Sequence, residues 1–152
     1  YVNLVCIAGA VIPLCAQIYL VTGNYYTAPK SQHKNCWNQS IATVPQCTEY
    51  VFRYSYNWHT QKCEDYIDCN TSRNAFPTRQ ECLQQCNWDS VCLKTGWTYN
   101  GVERTWFHYN AEDDECVATN TSISNNDKWP ANNAFLSYEE CIRECMPSFD
   151  QY

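Results

Sequence analysis

The sequence predicts a small disulfide-rich α+β protein in which a two-stranded β-hairpin followed by a short C-terminal helix occurs twice. Three observations carry this prediction. Twelve cysteines stand in 152 residues, a density that points to a disulfide scaffold rather than a large apolar core. Two segments, RNAFPTRQECLQQC (73–86) and NNAFLSYEECIREC (132–145), share Asn-Ala-Phe, a Ser or Thr, an acidic residue and Cys-x3-Cys. Upstream of them, YSYN (54–57) and FHYN (107–110) both end in Tyr-Asn and precede a cysteine by six residues. That spacing marks an internal duplication.

Taken in order, residues 1–23 are apolar and uncharged. They read as an N-terminally truncated secretory signal peptide with the small Gly23 at its cleavage site, in preference to a membrane anchor. Cys6 and Cys15 would leave with it, and the ten remaining cysteines suit an extracellular disulfide framework. Asn38-Gln-Ser, Asn70-Thr-Ser and Asn120-Thr-Ser are candidate glycosylation sites and mark surface. Residues 24–35 are polar and free of cysteine, the composition of a mobile extension. The mature cysteines then fall into a group of six (36, 47, 63, 69, 82, 86) and a group of four (92, 116, 141, 145). Residues 87–91 are a linker too short for much independent freedom, and 146–152 form a tail. Aromatic alternation before a polar turn is a strand entering a hairpin. Thr78 and Ser137, each followed by acidic or amide residues, are helix N-caps of the capping-box kind. Cys-x3-Cys on such a helix puts both sulfurs on one face.

The formal net charge is −6. It argues against a nucleic-acid partner, which needs a basic face, and favours a partner with a basic patch. No HExxH, G-x-S-x-G elbow or phosphate-binding glycine loop occurs, and His33, His59 and His108 are scattered. With the cysteines committed to bridges, metal ligation and thiol catalysis are disfavoured. The sequence therefore predicts a binding protein without cofactor or metal rather than an enzyme.

Six cysteines permit 15 pairings. The first group, C-x10-C-x15-C-x5-C-x12-C-x3-C, resembles the Kunitz-type (bovine pancreatic trypsin inhibitor-like) family, C-x8-C-x15-C-x7-C-x12-C-x3-C. The family's Arg-aromatic-x-Tyr-Asn is present as Arg53–Asn57, and its Asn-x-Phe as Asn74-Ala75-Phe76. The resemblance implies bridges Cys36–Cys86, Cys47–Cys69 and Cys63–Cys82. The second group fits the same template with two cysteines replaced, by Asn100 and Lys128, which would have paired with each other. It then implies Cys92–Cys145 and Cys116–Cys141, and domains at 36–86 and 92–145. This architecture is similar to two-domain tick salivary tissue-factor-pathway-inhibitor-like proteins.

The resemblance further implies that Pro45, Gln46, Cys47, Thr48, Glu49 and Tyr50 form the reactive-site-like loop, with Thr48 directed at the primary pocket of a serine protease. Thr48 lacks the charge that trypsin-like enzymes want, and Glu49 adds a negative charge beside it. A small elastase-type pocket suits it better. The first inter-cysteine segment is two residues longer than the family's. The third is two shorter and lacks the Gly-Gly before Cys69, so the neighbouring loop is expected to be rebuilt. In the second domain the missing bridge costs on the order of 2–4 kcal/mol and is expected to free the corresponding loop. That domain carries nine acidic residues against four basic ones, with Glu112, Asp113, Asp114 and Glu115 consecutive at the expected hairpin turn. These four are a candidate exosite for a basic protease surface. The expected product is a secreted, monomeric serine protease inhibitor or binder. Its expected targets are coagulation factors such as Xa or VIIa, and it makes no membrane contact once the leader is removed. Channel block or receptor binding is the alternative use of such a scaffold, but channel blockers of this kind present exposed Lys or Arg.

Overall fold

In both halves an aromatic strand turns back through an asparagine-capped loop and returns to a cysteine. The computed structural model describes residues 33–37, 46–70 and 75–149. The expected leader, residues 24–32 of the expected extension, Asn38, Pro45, Asn74 and the last three tail residues lie outside the described residues. Strand β1 (Tyr50–Asn57) pairs antiparallel with β2 (Lys62–Cys69), placing Tyr56 opposite Cys63. Strand β3 (Tyr99–Asn110) pairs antiparallel with β4 (Glu115–Ile123), placing Tyr109 opposite Cys116. The shared Tyr-Asn has a local cause. Asn57 Oδ1 accepts from the N–H of His59 (3.0 Å) and Thr60 (3.3 Å), and Asn110 Oδ1 accepts from the N–H of Glu112 (3.1 Å). Each asparagine thus nucleates its own turn. Both turns close through a left-handed residue, Gln61 (φ 58°) and Asp114 (φ 51°).

Helices α1 (Arg79–Cys86) and α2 (Tyr138–Cys145) follow their hairpins. Thr78 Oγ1 accepts from Glu81 N–H and Ser137 Oγ from Glu140 N–H, each at 3.1 Å, as the capping pattern predicts. The inward cysteines pin each helix to its hairpin through Cys63–Cys82 and Cys116–Cys141. The bridges Cys36–Cys86, Cys92–Cys145 and Cys47–Cys69 complete the expected set of five. Just before each helix, Phe76 exchanges both backbone hydrogen bonds with Tyr54, and Phe135 does the same with Phe107. Asn133 shows what the repeated Asn-Ala-Phe is for. Its buried amide accepts from Tyr109 N–H (2.9 Å) and donates to the carbonyls of Tyr109, Cys92 and Lys94. A satisfied buried amide of this kind locks the hairpin to the chain entering it.

Three expectations need correction. The ordered fold reaches back beyond Cys36 into the expected extension, because Asn35 is buried and donates to Ala75 O, while the His33 ring packs at a tilt against Phe76. The expected tail is part of the fold as far as Phe149. Asp65 N–H donates to Pro147 O (3.3 Å) and Phe149 N–H donates to Asp65 O (2.9 Å), adding a parallel bridge to the outer edge of β2.

The third correction concerns the second hairpin. Asn100 and Lys128 are exposed, but the hairpin end they flank is not freed. A second core closes it, formed by fully buried Trp106, Ile123 and Ala134 with Trp97 packed against them. Trp97 Nε1 donates to Asn133 O (3.2 Å), Thr98 N–H to Asp127 Oδ2 (2.5 Å) and Ser124 N–H to Thr98 O (2.7 Å). The strands approach so closely here that a Cβ on Gly101 would lie 2.1 Å from Ile123 O. The remaining buried apolar residues described in both halves form one continuous cluster around the cysteines. Among the described residues, no helix is long and apolar enough to cross a membrane.

This cluster makes Trp106 the local substitute for a disulfide. Trp106→Ala should cost about 3–5 kcal/mol, the range for removing a fully buried large aromatic. Hydrogen exchange should accelerate at 97–105 and 119–127 while β1 and β2 keep their protection. Uniform acceleration of both hairpins would show that the second core is not an independent local closure.

Candidate functional site

Strand β1 begins three positions after the bridged Cys47, and the intervening Thr48 and Glu49 belong to the loop predicted to meet a protease. Gln46, Thr48, Glu49 and Tyr50 are exposed, with the Cys47–Cys69 bridge directly beneath them. Tyr50 already pairs with Cys69, and the ladder runs one step further through Asn70 N–H donating to Glu49 O (3.0 Å). Asn70 holds Glu49 a second time, its Nδ2 donating to Glu49 Oε2 at 2.8 Å. Arg53 Nη2 in turn donates to Asn70 O (2.9 Å). Of the five described loop residues, Cys47 is held by the bridge, Tyr50 by the sheet register and Glu49 by an Arg53–Asn70–Glu49 relay. The relay was missed in the sequence because it joins residues 17 and 21 positions apart. The absent Gly-Gly is also explained. Strand β2 stays paired up to Cys69 itself, so no intervening loop requires glycine conformations.

The acidic quartet divides. Glu112, Asp113 and Glu115 are exposed at the second turn, while Asp114 is only partly exposed and its carboxylate points inward. Asp114 Oδ1 accepts from Arg79 Nε (2.9 Å) and from the hydroxyl of Tyr109 (2.8 Å), and Oδ2 accepts from the hydroxyl of Tyr54 (2.9 Å). The expected four-residue exosite thus presents three exposed acidic residues, of which Asp113 accepts from Asn110 Nδ2 through Oδ2 at 2.6 Å. The fourth is a clasp between the halves. Burial, and then donation to Asp114, pushes the Tyr54 hydroxyl up to about 12 and raises that of Tyr109 as well. Asp114 also differs from its neighbours in its left-handed φ, which aspartate tolerates.

Asn70 and Asn120 both lie exposed on strand ends or edges. Asn120 Oδ1 accepts from Thr105 Oγ1 at 2.7 Å. Asn70 is the sequon inside the loop relay. His59 is exposed beside the first turn and stacks on Trp58 with centroids 3.8 Å apart. Among the described residues, no group of three or more His, Cys, Asp or Glu is placed to hold a metal ion.

Residues 35–87 match the model of the Kunitz/bovine pancreatic trypsin inhibitor domain. Chymotrypsin inhibitor SCI-II of Bombyx mori is 37% identical over 59 residues, which cover 38% of this chain and 95% of that protein. The chain belongs to the Kunitz/bovine pancreatic trypsin inhibitor family. Within that family it is also similar to haemaphysalin of Haemaphysalis longicornis, 34% identical over 103 residues, a longer stretch than residues 35–87. That match covers 62% of this chain and 59% of haemaphysalin, so the chain spans about three fifths of that relative's length. The carboxypeptidase inhibitor SmCI of Sabellastarte magnifica is 32% identical over 83 residues, covering 51% of this chain and 48% of SmCI. Two of these Kunitz relatives are thus named as protease inhibitors.

The Asp114 clasp yields a prediction. Asp114→Asn leaves the nearly dry Arg79 guanidinium short of one counter-charge and should destabilise the protein by on the order of 2–3 kcal/mol. Asp113→Asn, one residue away, should stay within about 0.5 kcal/mol of the parent. Chemical denaturation with disulfides intact would check both. Equal effects would mean that Arg79 does not depend on Asp114.

Proposed function

We propose that this chain is a secreted, non-enzymatic binder of serine proteases, acting on coagulation factors such as Xa or VIIa as a monomer. The observation that carries the reading is the Thr48–Glu49 loop, exposed yet tied by Cys47–Cys69, the β1–β2 register and Asn70. A loop already ordered loses little conformational entropy when a protease closes on it. Thr48 is small and uncharged, so it suits a small primary pocket and offers no ion pair to the carboxylate of a trypsin-like one. Binding to a coagulation protease therefore relies on contacts outside that pocket. Residues 92–145, read as an atypical second Kunitz domain lacking one bridge, supply them through Glu112, Asp113 and Glu115. The repeated bridge pattern and the length of the haemaphysalin match support this division.

Binding and peptide-cleavage assays across factor Xa, factor VIIa–tissue factor, thrombin, trypsin and elastase test the reading. Tight binding is the expected result for the coagulation enzymes; intact peptide cleavage would mark contact outside the active site, and Thr48-dependent loss of cleavage would mark engagement of the loop. Silence across the panel would overturn it. Neutralising Glu112, Asp113 and Glu115 together should slow association and flatten its salt dependence, leaving dissociation nearly unchanged. Thr48→Arg should tighten trypsin inhibition by about a hundredfold, the scale of one desolvated charge-assisted contact. If Thr48→Arg gains nothing, the loop is not presented in a substrate-like shape.

A further inference from the structure

A cleft of about 600 Å³ opens where α1, the segment from Trp88 to Trp97 and the end of β3 meet. Its lining includes Gln80, Gln84, Trp88, Trp97, His108 and Glu112. Trp88 is 65% exposed, and Trp97 stands edge-on to His108 with ring centroids 5.1 Å apart. The charge of the lining is one-sided. Glu112 carries it, and burial lowers the pKa of His108, which keeps that ring neutral at pH 7. Two cations adjacent in sequence to lining residues are committed elsewhere. Lys94, between two lining residues, donates from Nζ to Ala131 O at 2.8 Å, and Arg79 is spent on Asp65 and Asp114.

Indole faces attract a cation through the ring quadrupole, and a carboxylate beside them adds a charge-assisted hydrogen bond. A guanidinium satisfies both demands at once, because it stacks flat and presents a fork of donors, whereas an ammonium is a compact hydrated point charge. The two glutamine amides can accept its outer N–H groups. The volume exceeds what one side chain fills, leaving room for the flanking backbone. We infer that this cleft receives an arginine side chain from the surface of a partner protein. The chain's net charge of −6 favours approach by such a surface. The inference shares Glu112 with the acids of the protease reading but uses none of the loop residues 46–50, and the titration below reads the cleft with no protease present, so the two can fail separately.

The test uses the intact chain with its six tryptophans labelled for indole N–H resonance. N-acetyl-arginine amide is titrated against N-acetyl-citrulline amide, which has nearly the same shape without the charge. Saturable shifts at Trp88 and Trp97 are expected, with affinity about tenfold weaker for the citrulline compound, the scale of one cation–π and carboxylate contact. Glu112→Gln, at an exposed turn position, should weaken the arginine response while leaving the other four indole signals in place. Trp88→Ala should abolish the response at Trp97. Absence of saturation, equal affinity for both compounds, or indifference to Glu112→Gln would each overturn the proposal.

Discussion

One buried guanidinium ties the two halves together. Arg79 is 3% exposed, yet it sits at the first turn of α1, where a helix is normally wet. Nε donates to Asp114 Oδ1 and Nη2 to Asp65 Oδ1, while Nη1 reaches the carbonyls of Pro147 and Cys63. Its carbon lies 5.0 Å from the centre of the Tyr54 ring. Removing such a cation from water is costly, and the cost is offset only when every donor finds an acceptor. The acceptors come from both hairpins and from the chain after α2. The contact exists only if the halves meet in this one relation. Lys62 reinforces it from the rim, bridging to Glu144 (3.0 Å) and donating to Arg143 O.

Two hairpins that share their register near the turn end in different ways, and the contrast shows what a Kunitz-like frame requires. In the first, Cys47–Cys69 fastens the strand end beneath an exposed loop. In the second, Trp106, Ile123 and Ala134 fasten it from inside, and the strands run on to Tyr99 and Ile123. A bridge needs two small side chains and leaves the loop above it bare. An aromatic plug needs volume under the sheet, with a glycine at 101 to admit the facing carbonyl. The second solution keeps the end ordered but spends its inner face on packing. What faces solvent there is Tyr99 and Val102 rather than a presented loop.

Elements governed by local chemistry or by cysteine count were legible in the sequence. Thr78 and Ser137 cap helices, and the five bridges that the family resemblance implied all occur. The elements that were not legible depend on residues remote in sequence. Asp114 looked like one of four equivalent acids because the reach to Arg79 spans 35 positions. Trp106 looked like one more aromatic in an alternating strand, and its plug draws on Trp97, Ile123 and Ala134 together. Pro147–Phe149 carried no strand signal, since its pairing is supplied by the free edge of β2. Of the loop, the exposure of Thr48 and Glu49 was legible, whereas the hold of Asn70 on Glu49 was not.

The division of the acidic quartet follows from the same geometry and shapes how the molecule would meet a partner. Asp114 is shielded by Tyr54, Tyr109 and Arg79, so its pairing resists screening by salt. Glu112, Asp113 and Glu115 face water, where their fields reach a partner but weaken within about one Debye length, roughly 8 Å at physiological ionic strength. The turn is thus anchored by one carboxylate while three others project from a fixed base. Because the anchor is also the contact between halves, the acids of the second hairpin hold a set position relative to α1 and the first hairpin. Two contact regions on one stiff body cost the second engagement little additional ordering once the first is made. Under the proposed function the clasp would act on binding without touching the partner, by fixing where the exposed acids stand relative to the bridged loop.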